Sequence, residues 1–219
     1  ADMPEACPTT EEAEWRLHQP PLVGRQNTLD VLWAAARDAS KGPIVVLLVG
    51  ARGMGRSRVA RRFTRELARG GWADPVWLAH DGDALHDGIL GAVERRFADR
   101  PQDVDGATEA LARHLARARG VIAEDVADEA AALRRTLGPR SDDEPLRMDA
   151  ARRQLTRGLR AESWRGRAVL VIDDAHRATD PWEGLQLAQT LLRSELPLLV
   201  VATLDVDALD DPRISAEVA

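Results

Sequence analysis

Short, wholly apolar runs alternate along this chain with longer stretches in which apolar residues recur every three or four positions. The short runs are rich in valine, leucine and isoleucine, as strands are when a parallel sheet buries both of their faces. They lie at residues 44–49, 76–79, 168–172 and 198–203. The longer stretches predict helices over 28–39, 56–69, 84–98, 106–119, 121–137, 146–162 and 181–194. Strands that alternate with helices indicate an α/β fold with a mainly parallel sheet between two helical layers.

Polar segments and turn residues divide the chain. Residues 1–20 are polar and contain proline, so we predict a flexible lead-in to one domain over 21–219. Asn27 or Thr28 is the predicted cap of the first helix. The predicted helices between residues 106 and 160 form a helical insertion before the third strand.

The segment GARGMGRS, residues 50–57, follows the first apolar run and precedes a helix. It resembles the phosphate-binding pattern GxxxxGK[ST], in which glycines let backbone N–H groups surround a phosphate at a helix N-terminus. In that pattern the lysine reaches the β- and γ-phosphates and the hydroxyl binds Mg²⁺. The candidate phosphate-binding residues are Gly50, Gly53, Met54, Gly55, Arg56, Ser57 and Arg58, with Ser57 also a candidate Mg²⁺ ligand.

Arg56 stands where the pattern has lysine. Arginine keeps the charge and can hold phosphate with two parallel hydrogen bonds, but its planar fork is longer than a lysine head. Two outcomes therefore stay open at this point: Arg56 holds phosphate, or it fills the loop and excludes the nucleotide. A third interpretation is a glycine-rich strand-to-helix turn with no ligand.

A second candidate site follows the third apolar run, where Asp173 and Asp174 come directly after residues 168–172. An aspartate at the end of a strand beside a phosphate loop can hold Mg²⁺, and a neighbouring acid can orient or deprotonate the attacking water. Asp173 is the predicted metal ligand and Asp174 the predicted catalytic base. The alternative is a strand that ends in two solvated acids.

Composition and charge narrow the function classes. The net charge of −6 disfavours a generally basic nucleic-acid surface. Cys7 is the only cysteine, which rules out an internal disulfide and a cysteine-based zinc site. No apolar run approaches the roughly 20 residues of a membrane helix, and the acidic N-terminus lacks an apolar secretion signal, so we expect a cytoplasmic protein. Lys41 is the only lysine, a bias towards arginine typical of a GC-rich bacterial genome.

Three motifs in order resemble the ATPase domain of STAND-type regulators, which belong to the AAA-like branch of P-loop NTPases. They are PLVGRQ at residues 21–26, GARGMGRS, and LVIDDAHRATD at residues 170–180. The resemblance covers about residues 20–204 and implies a three-layer αβα sandwich that binds ATP with Mg²⁺. The resemblance implies that Val23, Gly24 and Arg25 lie near the adenine base of the nucleotide. It also implies that Thr203, at the end of the last strand, senses the γ-phosphate.

The chain departs from this family at several points. Arg56 replaces the lysine, Gln26 replaces the usual glutamate, and Leu204-Asp205 follows the last strand where the family has an arginine. The family's fifth strand and helical lid are longer than the residues left after 204, so we expect a fragment of a longer regulator.

The resemblance predicts an ATP-binding regulatory switch with weak or absent hydrolysis. Other domains of the longer chain, or protein partners, would receive its signal, and a nucleotide-dependent oligomer is a further expectation. Two alternatives stay open: a scaffold that keeps the fold without binding nucleotide, and a DNA-associated AAA-type ATPase. The acidic charge disfavours the second alternative.

Overall fold

The computed structural model describes residues 22–80, 88–97, 144–163, 165–177, 182–193, 195–212 and 214. The predicted lead-in and the helices predicted over 106–119 and 121–137 lie outside these residues. The parts of the predicted helix 84–98 that precede residue 88 and follow residue 97 lie outside them as well.

Four parallel strands form one sheet within the described residues, in the order β1-β4-β3-β2. They are β1 (Ile44–Gly50), β2 (Val76–Ala79), β3 (Ala168–Asp173) and β4 (Leu198–Asp205). Each lies where an apolar run predicts it. Strand β4, the last in sequence, lies between β1 and β3 and therefore joins the two motif-bearing strands.

Five α-helices precede or connect the strands within the described residues. They are α1 (Gln26–Asp38), α2 (Arg56–Arg69), α3 (Gly88–Phe97), α4 (Glu144–Ser163) and α5 (Trp182–Leu192). Two short 3₁₀ turns, Ala175–Arg177 and Val206–Asp210, follow β3 and β4. None of the described helices is long and apolar enough to cross a membrane.

Side chains alternate between the two faces of the central strands and so build two apolar cores. On β3, Val169 and Val171 pack with α1 and α2, whereas Leu170 and Ile172 pack with α3, α4 and α5. A strand has a side-chain period of two, so a wholly apolar strand can pack on helices at both faces. The prediction of an α/β fold with a parallel sheet between helical layers is therefore confirmed.

The beginning of α1 differs from the prediction. The helix begins at Gln26. Arg25 is its N-cap residue, and the Arg25 side chain makes no capping hydrogen bond. The predicted caps, Asn27 and Thr28, lie inside its first turn. Helix α2 has the predicted bounds, because Gly55 and Gly70 flank it. The parallel arrangement brings the carboxyl ends of β1, β3 and β4 to one edge, where α/β sheets bind their ligands.

Candidate nucleotide-binding site

The loop between β1 and α2 turns through two glycines. Gly53 and Gly55 have φ angles of +84° and +80°, in the left-handed region that glycine enters without a Cβ penalty. Gly55 is the N-cap of α2. The first N–H groups of a helix have no partner within it, and its dipole favours negative charge in front of them. The loop backbone therefore has the form of a phosphate cradle.

Arg56, the first residue of α2, reaches back across this loop. Its Nη1 donates hydrogen bonds to the carbonyls of Gly50 and, at 2.6 Å, Leu204. Its Nη2 lies 3.5 Å from Oδ2 of Asp205 and 3.7 Å from Oδ1 of Asp174. The side chain is 10% exposed. The cation predicted to bind phosphate is therefore engaged by acceptors at the ends of β1, β3 and β4.

Asp173 and Thr203 form a buried pair at the ends of β3 and β4. The Thr203 hydroxyl is fully buried and donates to Oδ1 of Asp173 at 2.8 Å. The hydroxyl oxygen of Thr203 also accepts a hydrogen bond from the N–H of Asp174 at 2.7 Å. Nη2 of Arg61, on α2, lies 3.7 Å from Oδ2 of Asp173. The hydroxyl on β4 thus fixes the orientation of the predicted metal ligand.

Asp174, the predicted base, is half-buried and has a left-handed backbone with φ of +50°. Its carboxylate lies between two arginines, 3.7 Å from Arg56 and 3.8 Å from Arg177. The Nδ1 of His176 accepts a hydrogen bond from the N–H of Asp205 at 3.4 Å. Burial lowers the pKa of His176 below 6.5 and outweighs the nearby Asp174 carboxylate, which raises it. The ring is therefore neutral at pH 7, as an acceptor nitrogen requires.

The segment before α1 touches the phosphate loop. Nη2 of Arg25 donates to the carbonyl of Met54 at 2.8 Å. A cleft of about 240 Å³ lies beside this contact, bounded by α1, β1 and the loop, and Thr28 and Leu47 line it with Arg25, Met54 and Arg56. It is smaller than the roughly 300–1,000 Å³ of pockets that enclose a whole drug-sized ligand. Such a cleft fits one part of a nucleotide.

The sequence matches the family described as the AAA ATPase domain over residues 21–201, which is most of the chain. The chain belongs to the AAA ATPase domain family. A comparison with curated proteins found no match. AAA ATPase domains generally bind ATP with Mg²⁺, so nucleotide binding is expected here.

The four remaining predicted residues of this AAA ATPase domain lie on α2 or in the segment before α1. Ser57 and Arg58 are the second and third residues of α2, and both are half-buried. Val23 is 80% exposed, and Gly24 beside it has φ of +71°. Both precede Arg25, the residue of the segment that contacts the loop.

The donor set fits a phosphate and its magnesium ion. No cluster of three or more His, Cys, Asp or Glu that could hold a metal ion occurs in the described part of the chain. Mg²⁺ in phosphate sites takes only one or two protein ligands and completes its shell with phosphate oxygens and water. Ser57 and Asp173, the two predicted ligands, carry oxygen donors of this kind. Arg61, 3.7 Å from Asp173, is the competing cation.

Two residues outside the predicted site residues, Asp205 and Arg61, contribute to this site. Asp205 pairs in register with Gly50, so the sheet itself places its carboxylate beside the loop. Partial burial raises the pKa of Asp205. The hydrogen bond from the Asp207 N–H and the Arg56 guanidinium together lower the pKa by more, so that it lies below 3.8. Arg61 lies on α2, with its guanidinium carbon 5.7 Å from the centre of the Trp77 ring. Asp205 becomes recognisable as a site residue only once β4 is known to lie between β1 and β3.

Proposed function

We propose that this AAA ATPase domain is a regulatory switch within a larger bacterial signalling or transcription-regulating protein of the STAND type. It binds ATP with Mg²⁺ and hydrolyses it slowly or not at all. The observation that carries the proposal is the engagement of Arg56 by two carbonyls and two carboxylates. Phosphoryl transfer depends on positioning and on neutralising phosphate charge, and a guanidinium held elsewhere does both poorly.

In this proposal, different groups of the chain bind the phosphates, the Mg²⁺ ion and the attacking water. N–H groups at the start of α2 receive the phosphates, and Arg56 adds charge when phosphate competes with its internal acceptors. Ser57 and Asp173 would hold Mg²⁺, which when bound neutralises charge on the β- and γ-phosphates. Asp174 orients the attacking water in whatever hydrolysis occurs.

The base end of the nucleotide is proposed to lie against the segment formed by Val23, Gly24 and Arg25. The cleft of about 240 Å³ supports this proposal, since Arg25 lines it together with loop residues. At the other end, Thr203 bonds both Asp173 and the Asp174 backbone. A change at the γ-phosphate would therefore reach β4 through this hydroxyl.

The Arg56 contacts also favour a second candidate function, a scaffold whose loop is closed to nucleotide. Calorimetric titration with ATP and Mg²⁺ separates the two when it compares the natural chain, Arg56→Lys, and Arg37→Lys as a control on the exposed end of α1. The switch proposal predicts micromolar binding by all three and faster hydrolysis by Arg56→Lys alone. Binding by Arg56→Lys only would favour the scaffold. Rapid turnover by the natural chain would contradict slow hydrolysis.

A further inference from the structure

Asp205 is the last residue of β4, and the architecture of the sheet fixes its place. It pairs in register with Gly50, the first residue of the phosphate loop. The Asp205 carboxylate also accepts a hydrogen bond from the N–H of Asp207 at 3.3 Å, and the backbone N–H of Asp205 donates to Nδ1 of His176 at 3.4 Å. The carboxylate is therefore held in position before Arg56 makes any contact with it.

Arg56 makes its contacts with both ends of its guanidinium. Nη1 bonds the carbonyls of Gly50 and Leu204, and Nη2 faces Asp205 and Asp174. Nη1 and Nη2 carry four of the five N–H donors of an arginine side chain. Each of these nitrogens is committed within the protein, and nine-tenths of the side chain is shielded from water.

A phosphate at the start of α2 and the carboxylate of Asp205 therefore compete for one cation. We propose that Asp205 is a positioning residue that holds Arg56 against the end of β4 and so lowers the affinity of the loop for nucleotide. This inference rests on the proposed function, because it concerns the control of that same site. It predicts the direction of the effect on affinity: removing the Asp205 charge strengthens nucleotide binding.

The same geometry explains why arginine matters at this position. A lysine head is a compact point charge with three donors and lacks the planar fork. Arg56 bridges carbonyls and carboxylates from three strands at once, which a single ammonium does less well. The effect of Asp205 on binding is therefore expected to depend on the arginine and to shrink in an Arg56→Lys background.

Mg·ATP titration of the natural chain and of Asp205→Asn tests the proposal. Asparagine keeps the shape and the acceptor for the Asp207 N–H while it removes the charge. We expect the dissociation constant of Asp205→Asn to fall about two- to fivefold, which corresponds to the upper part of the range for ion pairs near a protein surface. Asp207→Asn is the matched control, because it removes the same charge from the same turn at an exposed carboxylate.

The Asp207→Asn control distinguishes the specific contact between Asp205 and Arg56 from the general repulsion between any nearby carboxylate and a bound phosphate. Asp205→Asn should bind nucleotide more tightly than Asp207→Asn, and the gain should shrink in the Arg56→Lys background. Without nucleotide, Asp205→Asn should melt at the same or a lower temperature, so the gain in affinity cannot come from added stability.

Equal affinities for Asp205→Asn and Asp207→Asn would overturn the proposal, and so would weaker binding by Asp205→Asn. If the natural chain binds and Asp205→Asn gives no gain, the positioning role alone fails. If the natural chain, Asp205→Asn and Arg56→Lys all fail to bind, the proposed function fails and this inference fails with it. Binding by Asp205→Asn but not by the natural chain would support complete inhibition by the contact.

Discussion

Thr203→Val is expected to destabilise the domain although valine has nearly the same shape. The Thr203 hydroxyl is fully buried and makes two hydrogen bonds, one to the Asp173 carboxylate and one from the Asp174 N–H. A hydrogen bond to a charged group contributes about 1.5–3 kcal/mol, and a partly buried N–H left without an acceptor adds about 1 kcal/mol, the lower end of the cost of a buried one. We therefore expect the free energy of unfolding to fall by about 3 kcal/mol.

Urea denaturation followed by tryptophan fluorescence measures this loss, and Thr64→Val is its matched control. Thr64 is also buried, but among the described residues its hydroxyl bonds only the carbonyls of Ala60 and Arg61 within its own helix. Those carbonyls keep their helical partners, so Thr64→Val should cost less than about 1 kcal/mol. Equal losses for Thr203→Val and Thr64→Val would refute the view that Thr203 orients the acids, and Thr203→Ser should recover part of the stability.

Three further outcomes are expected. The unfolded chain binds a proton at His176 more readily than the folded protein, because burial lowers the pKa of His176 in the folded state below 6.5. The contribution of His176 to the free energy of unfolding is therefore full above pH 7 and falls as the pH drops below 6.5. His176→Asn should flatten this pH dependence in denaturation curves recorded between about pH 5 and 7.5. Gly55→Ala forces a Cβ into a left-handed backbone at +80° and should cost about 1–2 kcal/mol and weaken ATP binding, whereas Gly42→Ala, at a position without positive φ, should do neither. Phe63→Ala removes a fully buried ring that meets Trp33 edge-on at 5.4 Å, and should cost about 3–5 kcal/mol with a shift in Trp33 emission.

The sequence predicts the layers of this fold well because its strands are buried on both faces. Runs such as residues 168–172 and 198–203 stay apolar whichever face they present, so they are visible without knowledge of their neighbours. The bounds of α2 are equally local, since Gly55 and Gly70 flank it. The start of α1 is less local: Arg25, which precedes the helix, bonds Met54 of the phosphate loop, and no cap pattern reports that contact.

The contacts of Arg56 are the part of the site that the sequence does not reveal. Leu204 and Asp205 are distant from Arg56 in sequence, and they reach it only because β4 lies between β1 and β3. Motif spacing identifies the loop and the acids Asp173 and Asp174, but strand order decides which other side chains share their edge. The roles predicted for these residues in binding and catalysis stay predictions.

Amide hydrogen exchange with and without saturating Mg·ATP measures whether nucleotide binds in the loop between β1 and α2. Binding in this loop should slow exchange in peptides that cover residues 50–57, with little change in peptides from α4. The same protection should appear in Arg56→Lys. Unchanged exchange over residues 50–57 in the natural chain, or protection confined to another region, would contradict nucleotide binding in this loop.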